Sequence, residues 1–362
     1  MKRLLALALC ALFVLNAEAR TLYVDASRPN NNGNGLSAGK AKKTIQAAVN
    51  VSKKGDTIIV LKGKYAAPLK TNNKKLRIKS RSGKAATTIA ARKWLDGYSL
   101  DLGSGSATKM SGFTVTPYLK KSDWDPDYRY YVTAGGVRGG TLSDCTFQSL
   151  GRVLAWPRPA TFASTKLTDC LLDGCYTDSS GKKFVSSCTL NRCKVVGSER
   201  KGGGKNCPVA SSKLSNCLFS GNDALSFSSC ILGNCTIAGN DSVVLKKNKA
   251  YNTIFHQVPA SQFKKAKKNT LKNCYSSSAP MFAAAADGDY HLLAGSPCID
   301  RGTKVAAARK LYGKKDLDGK KRIQGKSVDI GCYEGAVAPP DDTYDDCFYD
   351  DYLCDDLDGG IY

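Results

Sequence analysis

Leu142-Ser143-Asp144-Cys145-Thr146-Phe147 decides the fold, because it returns along the chain. The copies are Leu167-Thr168-Asp169-Cys170-Leu171-Leu172, Leu190-Asn191-Arg192-Cys193-Lys194-Val195, Leu214-Ser215-Asn216-Cys217-Leu218-Phe219 and Leu232-Gly233-Asn234-Cys235-Thr236-Ile237. Lys109-Met110-Ser111-Gly112-Phe113-Thr114-Val115 precedes them. Ala250-Tyr251-Asn252-Thr253-Ile254 and Leu271-Lys272-Asn273-Cys274 follow as degenerate copies. Between Cys145 and Cys274 the mean period is about 21.5 residues. A period of this size, with strand-like segments and frequent Gly, Asn and Ser, specifies a solenoid whose turns stack into one core. Helical repeats need longer periods and Ala/Leu/Glu-rich faces, which these copies lack.

Within each copy Cys and the Phe, Leu, Val or Ile two residues later share one face of a strand, since side chains alternate with a period of two. Leu lies three residues before Cys, so the chain must bend just ahead of Cys. Asp144, Asp169, Asn216, Asn234 and Asn273 fall at that bend, and Asn and Asp tolerate the left-handed backbone a corner needs. Stacked turns then place the cysteines in an inward ladder. Small apolar filler accounts for that ladder better than a disulfide staircase, because parallel in-register side chains rarely present the torsion a bridge requires.

The composition agrees. With 362 residues and 42% hydrophobic content, neither a disordered chain nor a small disulfide-stapled scaffold fits. Two histidines exclude a His-rich metal centre, and the absence of paired CxxC spacings argues against zinc. Lys2 and Arg3, an apolar run from Leu4 to Leu15 and Ala17-Glu18-Ala19 read as a secretory signal peptide cut after Ala19. The apolar run is too short to span a bilayer, so the processed chain is expected to have no membrane span and to be secreted or held at the cell surface. Fourteen Cys remain after cleavage, in a compartment that permits disulfides. Residues 336–362 hold nine Asp and no Lys or Arg, an acidic tail that reads as disordered, in which Cys347 and Cys354 could close a loop. Between the two ends, residues 20–339 carry 52 Lys+Arg against 21 Asp+Glu.

The repeat resembles the right-handed parallel β-helix of the pectate-lyase-like superfamily, which implies an all-β solenoid with three short strands per coil. The N-terminal order resembles the cap of the same proteins. It runs from strand Thr21-Leu22-Tyr23-Val24 through a Gly/Asn loop to an amphipathic Thr44-Ile45-Gln46-Ala47-Ala48-Val49 helix, then to Gly55-Asp56-Thr57-Ile58-Ile59-Val60. A helix there would cover strand edges that otherwise aggregate. Near the other end stand Ser296-Pro297-Cys298-Ile299-Asp300, Asp316-Leu317-Asp318-Gly319-Lys320-Lys321-Arg322 and Asp329-Ile330-Gly331-Cys332-Tyr333-Glu334. They are similar to the choice-of-anchor Q module of exported bacterial β-helix proteins. Its usual pattern has Ala where Cys298 and Cys332 stand, and this paired departure suggests a Cys298–Cys332 disulfide. The expected layout is a signal peptide (1–19), a β-helix (20–335) and the acidic tail (336–362). Within the β-helix the cap covers 20–66, the coils 67–280 and the C-terminal module 281–335.

The longest interruption of the repeat lies between Val115 and Thr141. With the residues just after it, this interruption supplies candidate substrate-binding side chains: Trp124, Tyr128, Tyr130, Tyr131, Arg152, Trp156 and Arg158. Aromatic faces stack on sugar rings and Arg forks pair with carboxylate or sulfate, although a packed loop shielding the solenoid's flank would use the same residues. Asp123, Asp125 and Asp127 alternate like the start of a calcium loop, so calcium is the one cofactor considered. The Gly and bidentate Glu of an EF-hand are missing and Pro126 interrupts. Asp316 and Asp318 carry a similar hint, better read as a turn whose carboxylates pair with Arg322.

No catalytic residue can be named. The NTD and GHG signatures of β-helix glycosidases do not occur, and neither does GxSxG. The first reading is therefore an exported β-helix protein that binds acidic polysaccharide or a cell-surface glycan through its basic body. The second is a polysaccharide lyase acting by β-elimination on a polyuronate or sulfated glycan. Nucleic acid is a partner suggested by charge alone, and no recognised nucleic-acid module accompanies it. A binding solenoid should spread its basic residues along the stack, whereas a lyase should gather them over the 118–158 insertion.

Overall fold

The computed structural model describes residues 18–91, 98–103, 105, 107–116, 135–150, 160–175, 183–197, 207–263, 268–276 and 279–337. The chain climbs through three parallel sheets in turn, three strands to a coil. Thr141–Ser143 belongs to an eleven-stranded sheet 1, Thr146–Gln148 to a nine-stranded sheet 2, and Phe162–Ala163 to an eight-stranded sheet 3. The next coil then re-enters sheet 1 at Lys166–Thr168. This is a right-handed parallel β-helix, with neighbouring rungs ~4.8 Å apart. No helix among the described residues is long and apolar enough to cross a membrane.

The register reproduces the sequence repeat residue by residue. Met110, Leu142, Leu167, Leu190, Leu214, Leu232, Ala250 and Leu271 stand opposite one another in sheet 1. Val115, Phe147, Leu172, Val195, Phe219, Ile237 and Phe255 do the same in sheet 2. All but the half-buried Leu271 are buried, and they form the core with the side chains that point inward from sheet 3. Asp144, Asp169, Arg192, Asn216, Asn234, Asn252 and Asn273 make the corner between sheets 1 and 2, each with φ between 48° and 55°. Helix α1 (Ile45–Val51), capped by the Thr44 side chain on Ala47 N–H, buries Ile45, Ala48 and Val49 across the first coil.

The cysteines are more than filler. Past the corner, the thiols of Cys145, Cys170, Cys193, Cys217 and Cys235 each donate to the carbonyl two residues back, at 3.1–3.5 Å. Thr253 makes the same bond with its hydroxyl at 3.0 Å. At the corner between sheets 3 and 1, Thr165, Cys188, Ser212 and Cys230 repeat the pattern. Burial pushes the Cys188 and Cys230 thiols up to about 11, so both stay protonated donors. The position therefore takes a small donor, and the exchange of Thr, Ser and Cys from coil to coil follows. Cys188→Ser should cost about 1 kcal/mol or less. Cys188→Val should cost more, because it removes the donor from buried carbonyls. Urea melts of the two variants check the order.

The C-terminal part straddles the corner between sheets 1 and 2. Helix α2 (Ala306–Tyr312) lies over sheet 1, where Gly233 leaves room for Leu311. A three-stranded sheet (Phe282–Ala284, Asp289–Leu293, Ala336–Val337) and its loops cover the later strands of sheet 2. Corner asparagines hold it there. Asn216 Nδ2 donates to Tyr312 O at 2.8 Å, Asn234 Nδ2 to Asp329 O at 2.8 Å, and Asn252 Nδ2 to Thr303 O at 3.1 Å. Upstream, where none of the described C-terminal residues docks, the corner is charged instead: Asp144 meets Lys84 Nζ at 2.8 Å, and Arg192 grips Asp169 with two bonds of 2.6 and 2.8 Å.

Candidate functional site

Trp124, Tyr128, Tyr130, Tyr131, Arg152, Trp156 and Arg158, with Asp123, Asp125 and Asp127, lie outside the described residues. Their segments join strands of sheet 2 to strands of sheet 3. On sheet 3, Arg138 pairs with Asp101, with Nε 3.0 Å from Oδ1, and lies 5.3 Å from the Tyr98 ring centroid. Among the described residues no group of three or more His, Cys, Asp or Glu is placed to hold a metal ion.

The Cys298–Cys332 bridge suggested by the paired departure is not formed. Both residues are buried thiols in separate apolar clusters, Cys298 against Ile254, Leu292 and Ile330, and Cys332 against Leu218, Ala238, Tyr290 and Tyr333. Burial pushes each thiol up to about 12.

Among the described residues, the outer face of sheet 1 carries an ordered array of charge. One outward column runs Arg77, Lys109, Thr141, Lys166, Thr189, Lys213, Ile231, Lys249, Thr270 on successive rungs. The parallel column, two residues further along each strand, begins at Lys79 and continues through Ser111, Ser143, Thr168, Asn191 and Ser215 to Lys272. Helix α2 covers this second column from Ser215 to Tyr251 and leaves Lys213, Lys249 and Lys272 in the open. Seven exposed cations stand on the face, and none of its eleven strands contains Asp or Glu. Arg77, Lys109, Lys166, Lys213 and Lys249 take part in no ion pair among the described residues, whereas Lys84, Arg138 and Arg192, off this face, are each paired with a carboxylate. The signal for this array in the sequence is a Lys one residue before the repeat's apolar position in alternate copies.

A second polar cluster sits where the C-terminal part ends on sheet 2. His291 Nδ1 is 2.5 Å from Asp289 Oδ1 and Nε2 is 2.7 Å from Asp318 Oδ2, with the ring stacked 3.8 Å from that of Tyr333. Lys194 Nζ lies 5.9 Å from the Tyr333 centroid. Burial works to raise the Asp289 carboxyl, but the His291 N–H, the His291 ring and the Lys194 charge hold it below the usual range. Beside the cluster opens a cleft of about 540 Å³ between Lys194, Val196 and Ser220 of sheet 2 and Ala286, Asp287 and Tyr290 of the C-terminal part.

Beneath it, Arg322 is wholly buried and donates to the carbonyls of Cys332, Asp329 and Gly331. Its carboxylate partner is Glu334, with Nε 3.5 Å from Oε2, rather than Asp316 or Asp318. Asp316 instead accepts from Lys320 N and Glu334 N, which closes the turn, and Asp318 pairs with His291 and Lys320. Burial raises the Glu334 carboxyl and Arg322 lowers it, which leaves it at about 7. These groups are enclosed and serve the fold.

No family model matches the chain, and no curated protein matches it. Among solved structures it is similar to pectate lyase Pel9A at 14% identity, covering 87% of this chain and 96% of that one, with a TM-score of 0.46. XylC in complex with xylose matches at 9% identity over 69% of each chain, TM-score 0.39. Carrot pectin methylesterase matches at 11% identity over 72% of this chain and 84% of its own, TM-score 0.36. The assignment as a parallel β-helix stands on the three sheets themselves, and no residue role is carried over from these proteins.

Proposed function

We propose that this is an exported or cell-surface β-helix protein that binds acidic polysaccharide through the outer face of sheet 1. The observation that carries the reading is the uncompensated column of Arg77, Lys109, Lys166, Lys213 and Lys249, flanked by hydroxyl and amide side chains, on a face with no carboxylate. A face built only for solubility would interleave both signs. Cations spread along the stack suit a linear polyanion rather than a small substrate, and the polar column supplies hydrogen bonds to sugar hydroxyls. Export rests on the basic, apolar and small-residue order of residues 1–19. Cleavage after Ala19 would free the Arg20 nitrogen, which lies 2.9 Å from Asp56 Oδ1, to pair as an ammonium. The C-terminal part is read as a choice-of-anchor Q type module on its sequence pattern.

The test is retention on immobilised polyuronate over a salt series, with the triple variant Lys109→Gln, Lys166→Gln, Lys213→Gln beside the parent chain. Retention should fall steeply with salt, because exposed charges are screened over ~8 Å at physiological ionic strength. The variant should bind about tenfold or more weakly with an unchanged melting temperature. Salt-insensitive retention, or a variant that binds like the parent, would refute the reading. Unsaturated uronide absorbance rising during the incubation would make the protein a lyase instead.

A further inference from the structure

The basic column is periodic as well as basic. From Lys109 onward, cations occupy alternate rungs: Lys109, Lys166, Lys213 and Lys249, with Thr141, Thr189 and Ile231 between them. With rungs ~4.8 Å apart, the cations repeat every ~9.6 Å along the solenoid axis. Relief of repulsion between neighbouring lysines explains why they are not on every rung. It does not explain why the alternate rungs carry Thr and Ile rather than Glu, which would relieve the repulsion further.

Resting on the binding reading above, we infer that the ligand is an extended, twofold-symmetric polyuronate lying along the solenoid axis, one sugar ring to a rung. A pyranose linked through its 1- and 4-positions advances its chain by close to one rung spacing. In a flat twofold ribbon, alternate rings turn over, so carboxylates on one side recur at every second ring, in step with the lysines. The rings that present no carboxylate to the sheet meet Thr141 and Thr189, whose hydroxyls donate and accept. The next such ring meets Ile231, an apolar side chain left 40% exposed between Lys213 and Lys249. A polyuronate with three rings to a turn presents like-facing carboxylates every third ring and falls out of step after one lysine. From Lys109 to Lys249 there are six rung steps, ~29 Å, so the in-step footprint is about seven rings, and Arg77, one rung before Lys109, stands outside the alternation.

The experiment compares size-defined oligomers of β-1,4-linked mannuronate, a twofold ribbon, with α-1,4-linked galacturonate of equal length and charge, titrated against the full exported chain. Mannuronate should bind at least about tenfold tighter, with affinity rising with length and levelling near seven rings. The variant Thr141→Lys with Thr189→Lys places cations on successive rungs. It should bind both oligomers more tightly and lose most of the preference. Lys166→Gln with Lys213→Gln should weaken both oligomers but mannuronate more, so that most of the preference is lost. Equal affinity of the parent chain for the two polymers, or levelling at three or four rings, would overturn this inference and leave the binding reading intact. Failure of both polymers to bind would overturn both. If neither binds until the nine tail aspartates are changed to Asn, the face is occupied by the chain's own acidic tail and the inference falls.

Discussion

Arg322→Ala is expected to destabilise the C-terminal part by about 3–5 kcal/mol, the usual result of removing one partner from a buried ion pair. The side chains of Arg322 and Glu334 are each 1% exposed, so truncation strands a carboxylate that no water can reach. It also strips hydrogen bonds from the carbonyls of Cys332, Asp329 and Gly331, and a buried acceptor left unpaired costs about 1–3 kcal/mol by itself. Glu334 can meet part of the loss by taking a proton, since burial already pushes its carboxyl up to about 7. Arg322→Ala should therefore be less damaging at pH 5 than at pH 8, where the orphaned carboxylate must be ionised or protonated at a cost. The double variant Arg322→Met with Glu334→Gln should recover much of the stability, because it removes both charges while keeping the volume. Thermal melts at the two pH values check the sign. Hydrogen exchange checks the place: protection should fall at Asp289–Leu293 and α2 while the strands before Lys194 keep theirs. Equal loss at both pH values would show that Glu334 never carries an uncompensated charge.

The fold was legible because a parallel solenoid writes one local pattern many times. The Leu-to-Cys offset of three located the corner, and the Asp and Asn residues there have the positive φ that the offset requires. What the repeat could not reveal is how one position serves different ends in different coils. Asp169 and Asn216 look equivalent as corner residues, yet Asp169 binds Arg192 in solvent while Asn216 supplies an amide donor to the docked C-terminal part. Only Asn has that donor, so the change from Asp to Asn along the column marks where docking begins. The cysteines were read by size and missed as donors, although Thr253 in a Cys position was the clue. His291 was unreadable, because Asp289 is near it in sequence while Asp318 and Tyr333 come to it through tertiary contact. The sheet 1 lysines form no local motif, whereas the aromatic and acidic residues of the insertion cluster in sequence. Each Lys is unremarkable by itself, and only stacking at every second rung makes the four an array.

Phe162→Ala should lower stability by about 3–5 kcal/mol, the range for truncating a buried Phe. Phe162 is fully buried and forms edge-to-face pairs on two sides, 5.2 Å from Phe147 and 5.7 Å from Phe184. It joins the interior of sheet 2 to that of sheet 3, and each aromatic pair adds about 0.5–1.5 kcal/mol beyond the area it buries. In a solenoid a rung touches only its neighbours, so the loss should be local. Hydrogen exchange should accelerate first at Val137–Arg138, Phe162–Ala163 and Val185–Ser186. Lys213–Ser215 and Ile231–Gly233 should hold, because α2 packs over them. Phe162→Leu, which fills more of the space, should lose about half as much or less. Uniform loss of protection from Thr57 to Lys272 would instead mean that the stack unfolds as one cooperative unit. The location of the opening also bears on binding. Lys166 follows Phe162 on the same coil, and the two-rung spacing from Lys109 to Lys213 runs through it. A chain opened in the middle should keep its affinity for oligomers of three or four rings and lose the gain that longer ones give, because only a continuous stack holds the four lysines in step.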